Sequence, residues 1–165
     1  MSNAGFITVE TDINEAMKVF EGLDKGQNTI RRHMLAGLGT SAKNKAKTFA
    51  KTQINKRSGA LFKSFKRKVI SNGKAVLIEA KARAANQVFY GYALAKGATI
   101  KANHSDYLTF QVDGKWVKTQ EVRLKGIDYV SAPVKKYIDS SESKQQMERL
   151  VQKELDKLEK KGIVL

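Results

Sequence analysis

Val88 to Leu124 reads VFYGYALAKGATIKANHSDYLTFQVDGKWVKTQEVRL, with an Asp113-Gly114 pair between two runs rich in β-branched and aromatic residues. An Asp-Gly pair supplies the positive φ angles of a two-residue type I′ turn, so Tyr107 to Val112 and Lys115 to Leu124 are expected to form a β-hairpin. Period-two alternation puts Leu108, Phe110 and Val112 on one face, joined across the turn by Trp116, Val122 and Leu124, and turns Thr109, Gln111, Thr119 and Arg123 away. Two strands with one apolar face are not stable alone. The rest of the chain is therefore expected to cover that face, with further strands or with a helix.

Upstream the same signal recurs. Phe65 to Ile70 and Ala75 to Ala82 flank Asn72-Gly73, which predicts a second type I′ hairpin. Lys63, Lys66 and Lys68 line one edge of its first strand, where lysine also discourages unwanted strand pairing. Before it, Ile30, Met34, Leu38, Ala42, Ala46, Phe49 and Ala50 recur at helical spacing and predict a helix from about Gln27 to Ile54. Gly37 and Gly39 inside it imply a kink or a close approach by another backbone. Asn55 to Gly59 breaks this helix, and Ser58 is placed to cap a short turn carrying Leu61 and Phe62 inward. Asp12 with Glu15 opens a short helix along Ile13, Ala16, Met17 and Phe20 that Gly22 ends. Gly5 to Glu10 alternates as an edge strand would.

Downstream, Lys125-Gly126 turns the chain and Pro133 begins a helical piece with Val134, Tyr137 and Ile138 on one side. Ser143 with Gln146 reads as the capping box of a last helix along Met147, Leu150, Val151, Leu155 and Leu158, up to Gly162. The expected fold is α+β: a mostly antiparallel sheet of two hairpins plus short strands, packed by a long basic helix and a C-terminal helix. A length of 165 residues suits one domain, spanning 1–165, with 1–10 as flexible start or edge strand and 140–165 as the C-terminal helix.

The net charge is +15, and its distribution says more than its size. Lys25 to Arg83 holds sixteen Lys and Arg against one acid, Glu79, while the remainder holds fifteen of each sign. One contiguous third thus carries the whole excess. Lys43, Lys45, Lys47, Lys51, Lys63, Lys66, Arg67 and Lys68 form the candidate electrostatic interface, meant for phosphate or for an acidic protein surface. The plain alternative is a solvated helix face kept soluble by lysine.

Several function classes lose their support. Absent cysteine removes disulfides, thiolate nucleophiles and Cys-based zinc sites, and fits a reducing cytosol. His33 and His104 stand apart, with no spacing that suggests a metal pair or a triad, and Asp106 and Asp113 fit turn chemistry better than paired-carboxylate catalysis. Gly91 and Gly97 flank apolar residues rather than opening a phosphate-binding helix. No catalytic, metal or cofactor-binding residue is expected, and the chain is read as a non-enzyme. Phe89, Tyr90 and Tyr92 suit a core cluster better than base stacking. The longest apolar run, Val88 to Ala95, is far too short to span a bilayer, and no signal peptide is evident, so no membrane partner is expected.

Three motifs occur in order: Arg57-Ser58-Gly59-Ala60-Leu61 with Ser64; Tyr90 seven residues before Gly97, a short strand and then the hairpin with Asp113, Gly114 and Trp116; and Asp128-Tyr129-Val130-Ser131-Ala132-Pro133 leading into a helix. From about Arg57 to Val134 the chain resembles the neck and tail-completion proteins of long-tailed double-stranded-DNA bacteriophages and prophages. It departs from that pattern at Ala95 and Ala98, where the family usually has an acid and a threonine. The resemblance implies a structural virion protein that joins head and tail as one subunit of a ring around the DNA path. It implies other virion proteins as partners (neck, tail tube or tail terminator), a non-specific DNA contact, and a place in the host cytoplasm during assembly and then in the virion. The rival reading is a basic nucleic-acid-binding protein without base-sequence preference and without an assembly role.

Overall fold

Gln27–Gln53 forms one long helix, α2, whose buried residues Ile30, Met34, Leu35, Leu38, Gly39, Ala42, Ala46 and Ala50 recur every three or four positions. The computed structural model describes residues 6–9, 13–21, 23, 26–54, 59–82, 90–112 and 114–163. α2 starts at Gly26 (φ +122) and ends where Ile54 turns extended, its amide still donating to Ala50 O at 3.0 Å. The helix passes unbroken through both inner glycines, whose purpose is close packing against side chains. A Cβ on Gly39 would lie 2.5 Å from Val76 Cγ1, and one on Gly37 would lie 2.7 Å from Leu150 Cδ2.

Those two contacts name the neighbours of α2. Val76 belongs to a three-stranded antiparallel sheet of order β1-β3-β2, built from β1 (Phe6–Val9), β2 (Phe65–Ile70) and β3 (Ala75–Ala80). β1 occupies an edge, as its alternation implies, pairing Phe6 with Glu79 and Val9 with Val76. Register puts Phe65, Arg67 and Val69 on one face with Ala80, Ile78 and Val76, and Val76 shows that this face lies on α2. The β2–β3 hairpin is present, but its turn differs from the expected two-residue form. Ile70 pairs with Ala75, so Ser71 to Lys74 connect the strands, with a 3-10 turn over Ser71–Gly73 and positive φ at Ser71 (52°) and Gly73 (89°). A type I′ turn on Asn72-Gly73 needs positive φ at Asn72, which the chain does not adopt.

Leu150 belongs to α6 (Ser141–Glu159), which runs antiparallel to α2. Glu154 meets His33, Leu150 meets Gly37 and Glu142 meets Lys45, in that order along the pair. Ser140, three residues before the expected cap, starts α6 by accepting from Ser143 N, while Ser143 is itself buried inside the helix. The short helices α1 (Asn14–Lys18), α3 (Ala60–Lys63) and α5 (Ser131–Ile138) complete the core with Met17, Leu61, Phe62, Val134 and Tyr137. Tyr129 is fully buried, its ring 6.1 Å from that of Phe65, and its hydroxyl donates to Gly91 O at 2.9 Å. Asp12, Gly22, Arg57, Ser58, Phe89 and Asp113, singled out in the sequence, lie outside the described residues.

The Asp-Gly hairpin forms, but the fold is not arranged around it. After α4 (Tyr90–Lys96), β4 (Gly97–Lys101) pairs with β7 (Glu121–Lys125), and β5 (Leu108–Val112) pairs with β6 (Lys115–Thr119). The expected second strand from Lys115 to Leu124 is therefore two strands, parted at Gln120. No helix among the described residues covers the hairpin: Trp116 is 70% exposed, Tyr107 51% and Val112 47%. The two-residue turn pairs Val112 with Lys115, which puts Phe110 opposite Val117 and Gln111 opposite Trp116. Trp116 thus faces the polar side with Thr109, Thr119 joins Leu108, and Val122 and Leu124 serve the other ladder beside Ile100 and Ala98. Together the two ladders form an arm rooted in the body at one end.

Candidate electrostatic interface

Thr40, Lys43, Lys47 and Lys51 follow one another at spacings of three and four, so they share one face of α2. That face meets the β2 edge of the sheet. Arg67 Nε donates to Thr40 Oγ1 at 2.8 Å, and the same hydroxyl donates to Ala36 O at 2.9 Å, which holds the guanidinium against α2. Lys43, Lys47, Lys51 and Arg67 therefore form a basic ridge along the seam between helix and sheet.

The other candidate cations are placed elsewhere. Lys45 lies on the opposite side of α2, paired with Glu142 at 2.8 Å in an exposed ion pair that water largely screens. Lys66 and Lys68 are exposed on β2 but alternate away from Arg67, on the face turned from α2. Lys66 stands opposite Glu79, whose carboxylate is taken by Lys81 at 2.7 Å. Lys63 sits in the last turn of α3. Among the described residues, Lys43, Lys47, Lys51, Lys63, Lys66 and Lys68 have no acidic partner within 4.0 Å. Six of the eight cations make two basic faces instead of a single patch, Lys43, Lys47, Lys51 and Arg67 on one side of β2 and Lys66 and Lys68 on the other.

The motif residues turn out to shape the backbone. Gly59 (φ +72) opens α3, Leu61 is buried, and Ser64 Oγ donates to Leu61 O at 2.7 Å, which closes that turn. Tyr90 begins α4 and Gly97 (φ +83) ends it. A Cβ on Gly97 would lie 2.6 Å from Leu124 O, and one on Gly126 would lie 2.5 Å from the carbonyl carbon of Lys96. The two chains at the root of the arm thus touch backbone to backbone. Ile127 N donating to Leu94 O at 2.9 Å and the Tyr129 hydroxyl on Gly91 pin that root to the body. Asp128 Oδ1 accepts from Ser131 N at 2.7 Å and starts α5. Gly114 (φ +80) turns the arm tip in open space, next to Trp116 on the adjoining strand.

Gly126 and Tyr129 are the anchors that spacing alone did not single out, although the aromatic-plus-Pro segment that carries Tyr129 was legible. No group of three or more His, Asp or Glu able to hold a metal ion occurs among the described residues. His33 is more than half exposed and stands 3.5 Å from Glu154, a buried carboxylate that also binds Lys157. Where the arm's two ladders join, Lys101, Ala102, Ser105, Asp106, Tyr107 and Gln120 line an open depression of ≈ 510 Å³. No helix among the described residues is long and apolar enough to cross a membrane.

Fold and surface together define an α+β domain with a basic seam and a projecting two-stranded arm. No protein-family model, curated protein or solved structure matches the chain.

Proposed function

We propose that the chain is a structural, non-enzymatic virion subunit that joins head and tail at the neck or tail end of a long-tailed phage or prophage. It assembles as a ring around the DNA path. The observation that carries this reading is the arm from Gly97 to Lys125, pinned at its root by Gly97, Gly126 and Tyr129 yet exposing Ile100, Val112 and Leu124 to water. A rooted, uncovered apolar arm suits a protein that completes its packing on other molecules. The resemblance of the motifs around Gly59, Tyr90, Gly97 and Tyr129 supports the same reading. Neck, tail-tube or tail-terminator proteins are its partners, met in the host cytoplasm during assembly and retained in the virion. Interrupting the gene in its parent phage or prophage tests this: DNA-filled heads and separate tails should accumulate. Complete infectious particles would end the reading.

A second reading rests on a separate observation, the lysines without acidic partners on both sides of β2. These suit a polyanion, and a basic protein that binds nucleic acid without sequence preference needs nothing more. Such a protein leaves head-to-tail joining intact when it is removed, so the same experiment separates the two.

A further inference from the structure

Among the described residues β2 is an edge strand, hydrogen-bonded to β3 alone in the order β1-β3-β2. Lys66, Arg67 and Lys68 follow one another on it, so their side chains leave it on alternate faces. Thr40 holds Arg67 on the α2 side, on the same seam as Lys43, Lys47 and Lys51, while Lys66 and Lys68 are exposed on the far side. On a central strand, two such faces would be parted by the neighbouring strands. Here consecutive residues with Cα atoms about 3.8 Å apart join them, and both reach solvent beside one free edge.

We propose that one DNA duplex lies along the free edge of β2 and is held by both faces at once, by Lys43, Lys47, Lys51 and Arg67 from the α2 side and by Lys66 and Lys68 from the other. The inference rests on the nucleic-acid reading of these lysines and says how the two faces share one ligand. Charge selects the occupant. The carboxylate opposite Lys66, that of Glu79, is already taken by Lys81 at 2.7 Å, so both rows are left to an anion from outside. A duplex carries one negative charge about every 1.7 Å of its axis, spread over two backbones, and can neutralise two rows of cations together.

The edge offers no platform for bases. Proteins that hold single strands stack successive bases on aromatic side chains. Phe65, the aromatic residue of β2, is buried, and the exposed Tyr107 and Trp116 belong to the arm. Contact is therefore made to backbone phosphates, of which a duplex presents more per unit length than a single strand. Lysine on an edge also wards off strand pairing, but that role needs no cation on α2 and gives no salt-dependent ligand.

Fluorescence anisotropy of a labelled duplex of about 15 base pairs, titrated with the purified chain between about 50 and 200 mM salt, tests the proposal. Lys66→Ala/Lys68→Ala and Lys47→Ala/Lys51→Ala should each lower the slope of log affinity against log salt by about 1.8, at about 0.9 for each phosphate, and the two losses should add in the combined variant. Lys135→Ala/Lys136→Ala removes the same two charges from exposed positions on α5 and should leave the slope unchanged. The titration should saturate at one duplex per chain, and a thymidylate strand of equal length should bind more weakly. An unchanged slope in Lys66→Ala/Lys68→Ala, two duplexes per chain, a thymidylate strand bound as tightly as the duplex, or an equal fall in the α5 variant would overturn the shared grip. In the first of these cases a lowered slope in Lys47→Ala/Lys51→Ala would leave the nucleic-acid reading standing. Absence of binding even at about 50 mM salt would overturn both and leave an acidic protein as the target of these cations.

Discussion

Gly37 and Gly39, two residues apart on α2, should respond differently to one added methyl. Alanine improves helix propensity by about 1 kcal/mol at either position. At Gly37 the new Cβ meets the two Cδ atoms of Leu150, the far end of a side chain that can turn aside. At Gly39 it meets Cγ1 of Val76, a β-branched residue in the central strand with little χ1 freedom. Gly39→Ala should therefore destabilise by about 1–3 kcal/mol through overpacking, and Gly37→Ala should stay near neutral, as urea midpoints would show. Gly97 combines a φ of +83 with backbone atoms on the Cβ side, so nothing nearby can move cheaply. Gly97→Ala should cost on the order of 1–3 kcal/mol at the arm's root and speed hydrogen exchange at Ile127 N, the amide bonded to Leu94 O. A protected Ile127 amide in that variant would contradict the close crossing.

The elements were legible to different degrees. α2 was read to within a residue of its ends, because a stripe of Ile30, Met34, Leu38, Ala42, Ala46, Phe49 and Ala50 at helical spacing has one interpretation. Both hairpins were legible in their Asp-Gly and Asn-Gly pairs. The partner of β4 was not, since no local signal in Gly97 to Lys101 points to Glu121 to Lys125. Trp116 could have been placed correctly, for a two-residue turn after Val112 makes Lys115 its partner and sends Trp116 to the side of Gln111. The cap of α6 was misplaced because Ser140 and Ser143 offer the same side chain three residues apart, and only burial separates them. One expectation follows for the tip. Gly114→Val forces a β-branched residue to positive φ, at on the order of 1–3 kcal/mol. Because β5–β6 stands outside the core, that cost should appear as faster amide exchange within the hairpin, with the thermal midpoint of the body unmoved. A drop of several degrees in that midpoint would mean that the hairpin is coupled to the core after all.

For the whole molecule, aromatic and β-branched density pointed to the wrong centre. The core gathers on a helix whose second half buries Gly39, Ala42, Ala46 and Ala50, residues with little hydrophobic signal, while the richest apolar alternation stands in water on the arm. Charge was legible as a contiguous third of the chain, yet folding divides its exposed cations between two sides of β2. The ridge of Lys43, Lys47, Lys51 and Arg67 should bind duplex DNA with no preference for sequence. Four cations that neutralise about four phosphates should lose roughly a hundredfold in affinity between about 50 and 200 mM salt, at a slope of about −0.9 per phosphate. Lys47→Glu should weaken that binding more than Lys45→Glu, whose lysine already faces Glu142. Equal effects in fluorescence titrations of random and fixed-sequence duplexes would remove the ridge as the binding face, and no binding even at low salt would leave an acidic protein as its target.

Trp116 is the only tryptophan in the chain, and it stands near the arm tip, 70% exposed. Its intrinsic emission is therefore a local gauge with no view of the core. In the free protein the indole should emit at the long wavelengths of a water-facing ring and be readily quenched by acrylamide. Denaturant that melts α2 and its sheet should barely shift its colour, so unfolding must be followed by circular dichroism. Any molecule that seats itself over the tip, by contrast, should report its own arrival as a blue shift and a loss of quenching.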